Sequence, residues 1–126
     1  MITSIFAGIL GFFYTLISFY VVRRRRTLKI SLGSGDNPIM LQAISAHSNF
    51  QSYVPIFLIL LYLLEVYSAI PVEIIITLGC FFTLGRILHF RGITTNNFKL
   101  RVPGMIMTFV PITLSSLLNL FARFFY

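Results

Sequence analysis

The sequence predicts an all-α integral membrane protein, a single domain over 1–126 built as a bundle of four transmembrane helices. Three observations carry that reading. Hydrophobic residues make up 57% of the chain and charged residues 10%, against about 25% charged in soluble domains. The mean hydropathy is +0.91, more apolar side chain than one soluble core of this length can bury. Four apolar stretches, at about 2–22, 39–66, 72–90 and 103–124, are separated by loops that hold most of the charge. Each has about the length that a helix needs to cross a hydrocarbon core of about 30 Å.

The stretch 2–22 has no charged residue and ends at Arg23, Arg24, Arg25 and Arg26. No positive region precedes it and no small-residue cleavage site follows, so it reads as a first span with its N-terminus outside, not as a signal peptide. From Arg23 to Pro38 the sequence predicts a basic loop, with a turn at Gly33-Ser34-Gly35. Asn37 and Pro38 are the natural cap and first residue of the second helix. That helix runs over 39–66, with Pro55 inside it predicting a kink. Ser68-Ala69-Ile70-Pro71 turns the chain into the third span. A second basic loop is expected over 91–102, and Pro103-Gly104 opens the fourth span, bent at Pro111. Spans of this length satisfy their backbones inside a bilayer only as helices.

Charge sets the expected orientation. The chain carries ten Lys and Arg against three acids, for a net charge of +7. The first and third loops hold the basic residues and the second holds none. The positive-inside rule then places loops 23–38 and 91–102 in the cytoplasm and both termini outside. The same charge predicts contact with anionic lipid. Nucleic-acid binding is set aside, because the basic residues flank apolar spans and do not line a soluble face with stacking aromatics. Cys80 is the only cysteine, so there is no intrachain disulfide, and it reads as a small buried hydrophobe. Two histidines 42 positions apart, with no carboxylate nearby, form no metal motif.

Polar residues inside a span are expensive and mark function. On the second helix Gln42, Ser45, Asn49, Ser52 and Tyr53 recur at spacings of three and four and read as one polar stripe. His47 and Gln51 project to another side. On the third helix Arg86 and His89 share a face, followed by Arg91, Lys99 and Arg101. Two antiparallel helices would bring these groups to a shallow pocket at the cytoplasmic leaflet. Such a pocket suits an anionic ligand from water and a lipophilic small molecule from the bilayer. Each group also has a structural role open to it. Ser45 and Ser52 can bond back to the preceding turn, Asn49 can join helices, and His89 and Arg91 can reach the headgroups. Arg86 can pair with Asn49 or a backbone carbonyl. Glu65 and Glu73, at the outer helix ends, are expected to be solvated or interfacial.

Four sets of residues resemble the MAPEG family, the membrane-associated proteins of eicosanoid and glutathione metabolism. They are Gly35-Asp36; Ala46-His47-Ser48-Asn49-Phe50 with Tyr53, Pro55 and Leu63-Leu64-Glu65; Gly85-Arg86-Ile87-Leu88-His89 with Gly92; and Arg101-Val102-Pro103-Gly104-Met105, which looks like the bacterial branch. The resemblance implies a homotrimer that binds glutathione between subunits near the cytoplasmic face. It also implies conjugation or reduction of lipophilic electrophiles and hydroperoxides. The catalytic candidates under this resemblance are Arg86 and Arg101, the latter the nearest arginine to the family's thiol-activating position and displaced from it by about one residue. Asn49, Tyr53, Ser45, Ser52, His89 and Arg91 become the candidates for holding glutathione. The sequence departs from the family pattern where Ser45 stands for an Arg, Ser52 for a Glu and His89 for a Tyr.

Two function classes follow: a membrane-bound glutathione transferase or peroxidase, and a non-catalytic member of the same fold that binds lipid or a partner protein, which the two serines favour. A third class, a four-span cation exporter, needs a carboxylate within the membrane for proton coupling. The first span has none, and Glu65 and Glu73 lie near helix ends.

Overall fold

The computed structural model describes residues 1–122 and 124, and among them four helices follow one another: α1 (Thr3–Leu28), α2 (Pro38–Tyr67), α3 (Val72–Thr94) and α4 (Phe98–Ala122). All four are long and apolar enough to cross a membrane. Their outer faces confirm the solvent they are built for. Phe12 and Phe19 are 68% and 66% exposed, and Ile5, Leu16 and Val22 lie open beside them. Water does not tolerate an apolar face of that extent, whereas lipid does.

The second helix begins as the sequence predicts. The Asn37 side-chain oxygen accepts from the backbone nitrogens of Ile39 (2.9 Å) and Met40 (3.2 Å), with Pro38 at the first position. The helix continues unbroken past Pro55. Three boundaries differ from expectation. Arg23, Arg24, Arg25 and Arg26 are not loop but the last turns of α1, which ends at Lys29 in the left-handed conformation (φ 56°). Arginine is a good helix former, so losing hydropathy at Arg23 ends the lipid-facing stretch without ending the helix. Similarly, α3 continues through Arg91 to Thr94, and α4 starts at Phe98, not at Pro103. Asn97 caps it, accepting from the Lys99 nitrogen at 3.0 Å. Pro103 therefore sits inside α4, and the second basic loop shrinks to 95–97. The fourth helix is described to Ala122; Arg123, within the stretch expected to reach Phe124, lies outside the described residues.

The helices pack as two unequal pairs. The fourth lies against α3 over most of its length, α2 touches all three others, and α1 leans chiefly on α2. Apolar side chains fill the middle. Phe57 of α2 stacks on Phe82 of α3 with ring centres 3.8 Å apart. Phe13 meets Phe50 edge-on at 5.3 Å, and Leu10, Ile17, Leu61, Leu64 and Ile75 close the core. The α3–α4 seam differs in kind. A Cβ on Gly104 would lie 2.5 Å from the His89 backbone nitrogen, and one on Gly92 2.4 Å from that of Arg101. The backbones themselves are in contact there, as small residues permit between membrane helices.

A buried cation between three helices

The close α3–α4 approach fixes one turn of α3 against α2 and α4, and the protein's buried charge sits in that turn. Arg86 is 1% exposed and the bulkiest fully buried side chain described. Its Nη2 donates to the Asn49 side-chain oxygen at 2.7 Å. The guanidinium carbon lies 5.9 Å from the centre of the Phe50 ring and 5.8 Å from that of Tyr53. Aromatic faces attract a desolvated cation, so α2 provides one hydrogen-bond acceptor and two rings. No carboxylate joins them. The chain's three acids are Asp36, Glu65 and Glu73. Glu73 opens the same helix about 20 Å away along its axis, Asp36 lies in the α1–α2 connection, and Glu65 is engaged elsewhere.

Two of the guanidinium nitrogens, Nε and Nη1, are buried and find no hydrogen-bond partner among the described residues, and the same holds for Nδ1 of His89, one turn on. His89 is 2% exposed, enclosed by the α4 backbone at Gly104. Buried donors left unpaired are rare and costly, and an unpaired buried cation is more so. Asn49 reaches on to α4, its amide nitrogen 3.9 Å from the Met105 sulfur. Tyr53 packs edge-on against Phe109 at 5.4 Å. Asn49 and Tyr53 thus line the α2–α4 seam, each half-buried, directly outside Arg86.

The expected stripe on α2 divides in two. Asn49 and Tyr53 join Arg86 and His89, whereas Ser45 and Ser52 are exposed. The Ser52 hydroxyl donates to the Ser48 carbonyl at 2.8 Å, the bond expected of a serine in a membrane helix. Arg91 and Arg101 are also exposed, with the Arg101 guanidinium 5.6 Å from the centre of the Phe98 ring. A single chain therefore gathers four of the eight candidates and leaves Ser45, Ser52, Arg91 and Arg101 on its surface.

Two arrangements were not anticipated. Glu65, half-exposed at the outer end of α2, does more than face the interface: its carboxylate accepts from the backbone nitrogens of Ile2 and, at 2.8 Å, Thr3, capping the start of α1. His47 faces α1, its Nε2 3.1 Å from the Ser18 hydroxyl and its ring 4.9 Å from that of Tyr14. The same hydroxyl lies 2.9 Å from the Tyr14 carbonyl, to which it donates. The sequence does signal part of this: His47 is two residues from Asn49, on the other side of the helix.

Helices and buried charge together describe a four-helix integral membrane protein with a cation shut inside its bundle. A model of the MAPEG family matches residues 3–121. The chain is similar to the inner membrane protein YecN of Escherichia coli K12, 28% identical over 120 residues that cover 95% of this chain and 91% of YecN. YecN from E. coli O6:H1 matches to the same extent. The chain belongs to the MAPEG family and is an integral, multi-pass membrane protein.

Proposed function

We propose that the protein is a membrane-bound, glutathione-dependent transferase or peroxidase for lipophilic electrophiles or hydroperoxides. The observation that carries this reading is Arg86, a buried cation with two free donors and no acid beside it, next to the free Nδ1 of His89. Such a group fits an anion, and glutathione offers both carboxylates and a thiolate. A free thiol has a pKa of about 8.5, and a neighbouring guanidinium lowers it by favouring the anion.

In this reading Arg86 supplies positive charge and Asn49 and Tyr53 form the wall through which the ligand approaches. Ser45, Ser52, Arg91 and Arg101 complete the site from the subunit surface within a homotrimer, with loops 29–37 and 95–97 on the cytoplasmic side. Glutathione supplies the nucleophilic sulfur. In the transferase reaction the thiolate forms a C–S bond as the electrophile's leaving group departs with the bonding electrons. In the peroxidase reaction two glutathiones become a disulfide while a hydroperoxide becomes an alcohol and water. Ser45 and Ser52 favour a second reading, a non-catalytic member that binds lipid or a partner protein, because neither offers a charge to a peptide ligand.

Calorimetry of glutathione against the detergent-purified protein separates the two. Binding at or below millimolar Kd, weakened at least about tenfold by Arg86→Lys in a chain that stays folded, supports the enzyme. No binding at millimolar glutathione removes it and makes co-purified lipid the object of study.

A further inference from the structure

The helical course of the four arginines gives them fixed directions. A helix of 26 residues is about 39 Å long, longer than the hydrocarbon core of about 30 Å, so the last turns of α1 stand at headgroup level. There the arginines separate. Arg25 turns into the connection, its Nη1 donating to the Gly33 carbonyl at 2.9 Å. Arg26 is exposed. Arg23 and Arg24 instead share a face with Tyr20 and Thr27, at i, i+3, i+4 and i+7. These four residues line a cavity of about 370 Å³ whose lining contains no carboxylate. The Arg24 guanidinium lies 5.2 Å from the centre of the Tyr20 ring. Tyr20 is held in turn by the edge of Phe90 from α3 at 5.5 Å. The Thr27 hydroxyl donates to the Arg23 carbonyl at 3.0 Å, a bond within α1.

We infer that this cavity is a binding site for the phosphodiester of an anionic lipid headgroup, held by Arg23 and Arg24 beside the Tyr20 phenol. Planar guanidinium groups match phosphate oxygens in pairs, and stacking on Tyr20 orients one of them beforehand. Lipid is the source the geometry favours, because α1 below the cavity is bare to the acyl chains through Phe19 and Phe12. A diffuse polybasic surface would treat its arginines alike. This site does not, since Arg25 is committed to the backbone and Arg26 is not part of the cavity's lining.

The test is native mass spectrometry of the full chain in detergent, titrated with phosphatidylglycerol or with phosphatidylcholine of the same acyl chains. Retention of phosphatidylglycerol about tenfold above phosphatidylcholine is expected. Arg24→Gln should lower it about tenfold and Arg26→Gln by less than about twofold, although both remove one charge. Arg24→Lys, which keeps the charge and loses the planar fork, should fall close to Arg24→Gln. Equal losses for Arg24→Gln and Arg26→Gln, or equal retention of the two lipids, would overturn the site. Displacement of phosphatidylglycerol by millimolar inorganic phosphate would overturn the lipid assignment in favour of a soluble phosphate ligand.

Discussion

The two helix pairs of this molecule are held by different means. Between α3 and α4 the backbones touch at Gly85, Gly92 and Gly104, where an added Cβ would fall within 3 Å of the facing chain. Between α1 and α2 the helices meet through side chains: Phe13 on Phe50, His47 with Ser18, and Glu65 on the first turn of α1. Gly8 and Gly11 of α1 have open space where Gly104 has backbone. The difference matters because the buried cation sits on the first pair. A group that must stay fixed without a counter-ion is carried on helices that cannot slide, while the pair with ordinary packing carries the polybasic end.

The largest effect should come from breaking the rigid pair. In Gly104→Ala the new methyl meets the His89 backbone nitrogen and Cα at 2.5 and 2.7 Å, and neither atom can rotate away as a side chain would. The helices must separate, which opens the wall around Arg86. We expect a loss of about 3 kcal/mol or more, at the upper end of single substitutions, read as a large fall in thermal stability of the detergent-purified protein. A change below about 1 kcal/mol would show that the pair is loosely packed after all.

Next comes the link from that pair to α2. Asn49→Leu keeps the volume and removes the acceptor for Arg86 Nη2. Hydrogen bonds to charged groups contribute about 1.5–3 kcal/mol, and the partner left behind is a buried cation, so about 3 kcal/mol is expected. Adding Arg86→Leu should restore part of that loss, because an apolar pair of similar shape leaves nothing unsatisfied. Full additivity in the double variant would mean that the two side chains do not stabilise one another.

How much of this the sequence reveals depends on how local the cause is. Asn37 and Pro38 cap α2 with atoms two and three residues away, and the sequence shows it. The Arg86–Asn49 pair is also legible, since an arginine within a span requires an acceptor and Asn49 is the amide at matching depth. The division of the stripe is not. Ser45 and Ser52 fall on the same helical repeat as Asn49, and only the position of α4 decides which of them turns inward. Hydropathy misplaces both basic helix ends because it records where lipid stops, not where the backbone hydrogen bonds stop. The Glu65 cap joins residues 62 and 63 apart in the chain, and no local pattern encodes it.

That cap gives the smallest and most selective effect. The Glu65 carboxylate takes two backbone N–H groups that the start of α1 would otherwise leave unpaired, and its negative charge faces the positive end of the helix dipole. Glu65→Gln keeps one acceptor oxygen and loses the charge, which should cost about 1 kcal/mol. The site is half-exposed, so salt screens part of its contribution. Hydrogen exchange should quicken at the first turn of α1 and stay unchanged along α3 and α4, since α1 makes few contacts with α3. An equal rise in exchange across α3 and α4 would show that the clasp supports the whole bundle, and the contrast between the two helix pairs would fail.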